Sequence, residues 1–263
     1  MPMYNILENK YYHEPSVFTP DNLLREARRQ KSIENCSIPH VCILDPDGDL
    51  VEYLVRTGQA ELNKCWACYH TKLYNFIYQE REYGIVGSVV GSAFAVLVAE
   101  ELFASGCQLL ISITSAGIII SPDNNTRFVL IDKTIRDEGT SYHYLPPDED
   151  ASINHTLLKD LLSSFNGLPL SVIHGLSWTT DAPFRETASA IQYAKNHNVT
   201  CVEMEAAALY AFSKAKHKKV ICFAHLTNTM AQSEGDFEKG EEMGSIDTLT
   251  LIDYTTKILT TEK

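Results

Sequence analysis

Basic residues are scarce in this chain: Lys and Arg total 22 against 34 Asp and Glu, a formal charge of -12. That balance excludes a broad electrostatic footprint for nucleic acid or for an anionic membrane surface. Long apolar runs are missing as well. Nothing approaches the ~20 residues of a membrane span, and the opening Met-Pro-Met-Tyr-Asn-Ile-Leu has no basic segment followed by an apolar core. Both absences point to a cytoplasmic protein with small partners. Neither the G-x-G-x-x-G nor the Walker spacing occurs, which argues against a dinucleotide or NTP site. Cysteines number seven, at positions 36, 42, 65, 68, 107, 201 and 222. An odd, scattered set builds no disulfide framework and reads as reduced thiols used as small hydrophobes. Cys65-Trp-Ala-Cys68-Tyr-His70 lacks a second pair at zinc spacing, and Tyr69 breaks the haem-attachment pattern, so no metal site is expected there. Its alternation suits a strand.

What is present is an alternation of strand and helix patterns over 263 residues, 44% of them hydrophobic, without repeats or low-complexity tracts. This predicts one α/β domain over residues 19–263, preceded by an aromatic, irregular arm over residues 1–18. The arm either wraps a neighbouring subunit or stays mobile. Thr19-Pro20 reads as an N-cap with Pro in the first turn of a helix reaching about Lys31. A short strand over 41–44, a turn at Asp45-Pro-Asp-Gly48 and a helix ending before Gly58 follow. Gly87-Ser-Val-Val-Gly91-Ser92 links a strand to a long helix, and its amides suit an anion at the helix N-terminus. A buried strand over 108–114 delivers Ser115, Ala116 and Gly117. Later come a strand over 128–132, a polar loop over 136–147, a strand over 170–174, a loop over 175–183, a helix over 184–197, and a strand over 220–226 that delivers Asn228.

The chemistry concentrates in Thr200-Cys-Val-Glu203-Met204-Glu205-Ala206-Ala207-Ala208. Strand formers give way to helix formers here, which places two carboxylates at the carboxyl end of a strand, where open α/β sheets bind ligands. Three alanines let the helix pack closely. A carboxylate at its N-terminus is expected to be held ionised by the orphan amides and the dipole, and so to accept hydrogen bonds from hydroxyls.

Taken together, Thr114-Ser115-Ala116-Gly117, Arg136-Asp-Glu138-Gly-Thr-Ser-Tyr-His143, Thr180-Asp-Ala-Pro-Phe184-Arg185, Val202-Glu203-Met204-Glu205-Ala206-Ala207 and Asn228 resemble the nucleoside phosphorylases of the uridine and hexameric purine type, including related nucleosidases. The resemblance runs from about Val41 onward, and the loop around His143 looks most like the uridine phosphorylase branch. It implies a nucleoside-phosphorylase-like α/β fold, with helices around a distorted central mixed sheet. It also implies a homo-oligomer (a dimer, or a hexamer built as a trimer of dimers), a nucleoside substrate and no cofactor beyond phosphate as a possible co-substrate. By resemblance Glu205 grips the ribose hydroxyls, Met204 packs on the sugar and Glu203 helps close the pocket. Asn228 and Arg185 face the base, Phe184 stacks on it, and His143 faces the site. Thr114, Ser115 and Gly117 belong to the substrate-binding turn. The chain departs from the phosphorylase pattern at the acceptor side. Ser112 stands where those enzymes carry Arg, and Asp45-Pro-Asp47-Gly-Asp49-Leu50 replaces their Gly-Asp-Pro-x-Arg turn. Phosphate and water therefore both stand as acceptors, with Glu138, Asp45, Asp47 or Asp49 to activate water. An alternative is a nucleoside-binding or assembly protein that has lost turnover.

Overall fold

The computed structural model describes residues 5–122, 126–230 and 234–260. Residues 1–4 of the expected arm lie outside the described residues. Helix α1 (Pro20–Lys31) starts as the sequence predicts: the Thr19 hydroxyl accepts a hydrogen bond from the Asn22 N–H at 3.3 Å, with Pro in the first turn. Strand β1 (Val41–Asp45), helix α2 (Asp49–Arg56) and strands β2 (Ala60–Leu62), β3 (Leu73–Tyr78) and β4 (Arg81–Gly87) follow. Then come α3 (Ser92–Ala104), β5 (Leu109–Ile118), β6 (Phe128–Asp137), β7 (Ala151–Ser152), α4 (His155–Ser164), β8 (Val172–Thr180) and α5 (Ala188–Asn196). The chain ends in β9 (Val199–Glu203), α6 (Ala206–Lys216), β10 (Lys219–Asn228) and α7 (Ser245–Thr260).

The strands form one distorted mixed sheet that partly closes on itself. β5 pairs in parallel with β10, β10 antiparallel with β6, β6 in parallel with β8, β8 in parallel with β9, and β9 antiparallel with β5. These five strands make a ring. β1, β4, β3 and β2 extend from it as a wing hydrogen-bonded to the first half of β5. The ring explains where the sequence reading fell short. Residues 175–180 belong to β8 and residues 133–137 to β6, because each half-buried segment finds a partner across the ring that no local pattern displays. The helix expected over 184–197 begins only at Ala188, where the Thr187 hydroxyl caps the Ala190 N–H; Pro183–Arg185 form a 3-10 turn.

One edge of β5 is divided between two strands. β1 accompanies it as far as Ser112, and β9 joins it only at Gly117. Between them that edge lacks a partner strand, and the fork so formed positions the site. Such a point of divergence at the carboxyl ends of parallel strands is where sheets of this kind admit ligands. Above it runs α6, buried from Ala206 through Ser213 and packed against α3. The alanine triplet permits that approach, since each of the three is at most 1% exposed.

The cysteines correct one expectation. Cys36 and Cys65 form a disulfide across 29 positions, with their Cα atoms 5.3 Å apart. The other five are free and buried. Cys65 to His70 is loop rather than strand, and among the described residues no group of ligands is arranged to hold a metal ion. No helix among the described residues is long and apolar enough to cross a membrane.

Candidate active site

Glu205 is the last residue of the β9-to-α6 turn, at the N-cap position of α6, and is only 1% exposed. Its Oε1 accepts the Gly91 N–H at 2.7 Å, and its Oε2 has no hydrogen-bond partner among the described residues. The glycine turn before α3 presents its amide to an acceptor within the chain, the Glu205 carboxyl. Gly91 has φ of +95°, a conformation that strains any residue with a Cβ. Beside it, the Ser92 hydroxyl donates to the Met204 carbonyl at 2.7 Å, which ties the start of α3 to the turn that carries Glu205.

The two glutamates divide the work differently from the sequence reading. Glu203, not Glu205, takes the orphan amides of α6: its Oε2 accepts the Glu205 and Ala206 N–H groups, each at 2.7 Å. Its Oε1 accepts the Ser177 hydroxyl at 3.0 Å and the Thr179 hydroxyl. Four donors on one carboxylate favour its charged form against the burial that pushes its pKa up. Glu205 keeps a single amide. Burial, and then the neighbouring Glu203 charge, push its pKa up to about 8. The carboxylate expected on the orphan amides at the N-terminus of α6 is Glu203, and the proton rests on Glu205 near neutral pH.

Around Glu205 the fork supplies Thr114, which is buried, and Ser115, whose N–H donates to Asp47 Oδ2 at 2.8 Å. This amide, at the β5 edge with no partner strand, is satisfied by a side chain. Ser112 lies one strand repeat before Thr114, and its buried hydroxyl has no partner among the described residues. Asp45 is buried at the end of β1, and its Oδ2 accepts the Val51 N–H at 2.9 Å. Burial raises its pKa to about 7. Lys239, from the segment between β10 and α7, pairs with Asp49 and lies 3.6 Å from Asp47 Oδ1. His225 of β10 is buried, stacks on Phe128, and has its pKa lowered to about 4, by burial first and then by Lys239. Asp45, Asp47, Asp49, Thr114, Ser115 and His225 surround a cavity of about 20 Å³. The sequence marked the aspartates, whereas Lys239 and His225 carry no local signal, because Lys239 stands 190 positions from Asp49.

On the far side of the fork, Asn228 lies in register with Gly117. Its Oδ1 accepts the Met230 N–H at 2.9 Å and its amide nitrogen donates to the Thr227 hydroxyl at 3.1 Å. A Cβ at Gly117 would meet the Met230 sulfur at 2.8 Å and Val202 at 3.1 Å, so the glycine lets these side chains pack closely beside Asn228. Of the predicted site residues, two make other contacts and two are exposed. Glu138 is buried with its carboxylate on the Thr140 and Ser141 amides, so it shapes its own loop rather than standing over a water. His143 pairs with Lys10 at 2.9 Å, where residues from Ile6 to Tyr12 lie on the Gly139–His143 loop. Phe184 is 99% exposed and Arg185 is exposed beside it, so neither lines a pocket within the single chain.

Comparison with known proteins bears on the fold. The uridine phosphorylase of Vibrio fischeri ES114, in complex with 6-hydroxy-1-naphthoic acid, superposes with a TM-score of 0.70 at 18% identity, covering 86% of this chain and 93% of that one. The purine nucleoside phosphorylase of Toxoplasma gondii, in complex with immucillin-H, gives 0.67 at 14% identity, covering 84% and 90%. A stretch of 134 residues is 29% identical to an uncharacterized protein, R802, of Acanthamoeba polyphaga mimivirus; it spans 51% of each, so the match reaches about half the length of that curated relative. The family model of the phosphorylase superfamily matches residues 40–254, from the start of the wing into the last helix. With a central mixed sheet of the same fold and that span of matching sequence, the chain belongs to the phosphorylase superfamily.

Proposed function

We propose that this protein cleaves the N-glycosidic bond of a uridine-phosphorylase-type nucleoside substrate and releases the free base, with phosphate or water as the acceptor. The observation that carries this reading is Glu205: a buried carboxyl at the strand fork, with one oxygen on the Gly91 amide and the other without a partner among the described residues. Cleavage passes through a ribose with oxocarbenium character, and hydrogen bonds to the 2-hydroxyl that strengthen in the transition state contribute several kcal/mol in related glycosyl transfers. Glu205 Oε2 supplies the acceptor for that hydroxyl, and Met204 packs on the sugar. Asn228, beside Gly117, offers an amide that hydrogen-bonds a pyrimidine but does not protonate it. Phe184 and Arg185 complete the base side once a second subunit covers this exposed face, which supports a homo-oligomer.

The test is free-base release from uridine, thymidine, inosine, adenosine and guanosine, followed by chromatography. Uridine or another pyrimidine nucleoside is the expected substrate. If no nucleoside in the panel yields base, the reading is overturned. Nucleoside-dependent thermal stabilisation without product would then identify a binding protein.

A further inference from the structure

We infer that Asp47 is a built-in anion filling the acceptor side of the site, so that water rather than inorganic phosphate receives the ribosyl group. This inference rests on the proposed nucleoside cleavage. A phosphate dianion needs amide and cationic donors aimed at one point. Here those groups already hold the chain's own carboxylates. The Ser115 N–H, at the β5 edge without a partner strand, donates to Asp47 Oδ2 at 2.8 Å. The Gly91 N–H is taken by Glu205. Lys239 is held by Asp49, with Asp47 at 3.6 Å. His225, the remaining base in the cluster, is kept neutral by burial and by the nearby Lys239 and Arg127, and Arg127 itself is exposed.

Size agrees with charge. The cavity among Asp45, Asp47, Asp49, Thr114, Ser115 and His225 measures about 20 Å³. One water needs roughly 10–15 Å³ measured this way, and a five-atom phosphate does not fit. On the cavity wall, the buried His225 Nε2 has no partner among the described residues. It is suited to hold a water. In the reaction the water oxygen bonds to C1′ as the C1′–N bond breaks, and the electron pair of that bond stays with the base. The proton lost by water passes to the carboxylate cluster and on to solvent, and the departing base, which Asn228 hydrogen-bonds but does not protonate, takes its proton from solvent. Nucleoside plus water gives free ribose and free base.

The experiment compares the wild-type chain with Asp47→Ala and with the isosteric Asp47→Asn, which keeps an oxygen for the Ser115 amide. Sugar products are identified with and without inorganic phosphate, and phosphate binding is followed by thermal shift and calorimetry. For the wild type the expected product is free ribose, with rate and melting temperature indifferent to phosphate. Removing the like charge should tighten phosphate binding about tenfold or more in Asp47→Ala, with the same direction in Asp47→Asn should the alanine variant not fold. Ribose 1-phosphate from the wild type, or phosphate binding by it at millimolar concentration, would overturn the inference. Equal phosphate affinity in wild type and both variants would also overturn it. If the wild type cleaves no nucleoside, the proposed function fails, and the binding comparison still decides the role of Asp47.

Discussion

At the scale of single residues, Glu203 and Glu205 show how two identical side chains two positions apart acquire different chemistry. Glu203 collects four donors that oppose the effect of its burial; Glu205 has one and is pushed by burial to a pKa of about 8 from an ordinary 4.5. Because the folded state binds that proton more tightly than the unfolded chain, Glu205 stabilises the fold fully below the ordinary carboxylate range. That contribution is lost as pH rises toward about 8. Asp45, raised from 3.8 to about 7, acts in the same direction. Catalysis runs the other way, since a developing cation on ribose calls for the ionised carboxylate. We expect kcat/KM to rise with pH to a plateau above about 8, and a flat profile would remove Glu205 from the reaction. Glu205→Gln is expected to lower kcat about 1000-fold, roughly 4 kcal/mol, while leaving the melting temperature unchanged or higher and flattening its decline with pH. Stability and function oppose each other at such a position.

At the scale of elements, the β9-to-α6 junction is held by side chains from β8. Ser177 and Thr179 donate to Glu203, Thr179 accepts the Ala207 N–H at 2.9 Å, and Thr134 on β6 meets Thr179 at 2.8 Å. All of these groups are buried. Glu203→Ala would strand two hydroxyls and two helix amides away from water, and we expect a loss of about 3–5 kcal/mol. In a chain of this size that lowers the melting temperature by roughly 10 °C, and calorimetry on the variant checks it. Loss of activity without loss of stability in Glu203→Ala would instead give Glu203 a direct part in the chemistry. The junction was legible in sequence because a switch from β-formers to alanine-rich helix formers is a local signal. Its caps were not, because the donors come from a strand more than twenty positions earlier.

At the scale of the whole molecule, the Cys36–Cys65 disulfide ties the segment after α1 to the loop before β3 across 29 positions. A closure of that length stabilises by about 3 kcal/mol. Denatured, unreduced protein should titrate five thiols, and reduction should lower the melting temperature; seven thiols and no effect of reductant would remove the bridge. An odd, scattered cysteine set said nothing of this pairing, since proximity across a fold leaves no trace in spacing. The same division runs through the protein. By itself, the sequence determined the α/β class, the order of most elements, the glycine turn, the placement of Glu203, Met204 and Glu205 at a strand end, and the run of aspartates, because each depends on propensity, periodicity or adjacency within a few residues. Only the tertiary structure decided that β5 splits its edge between β1 and β9. It also decided that Glu203 rather than Glu205 caps α6, that Asp47 takes the Ser115 amide under Lys239, and that Glu138, His143, Phe184 and Arg185 lie apart from that fork. Those outcomes depend on burial, on closure of the ring of strands and on hydrogen bonds between distant segments, and the free energy of a buried charge is set by whichever neighbours the fold brings to it.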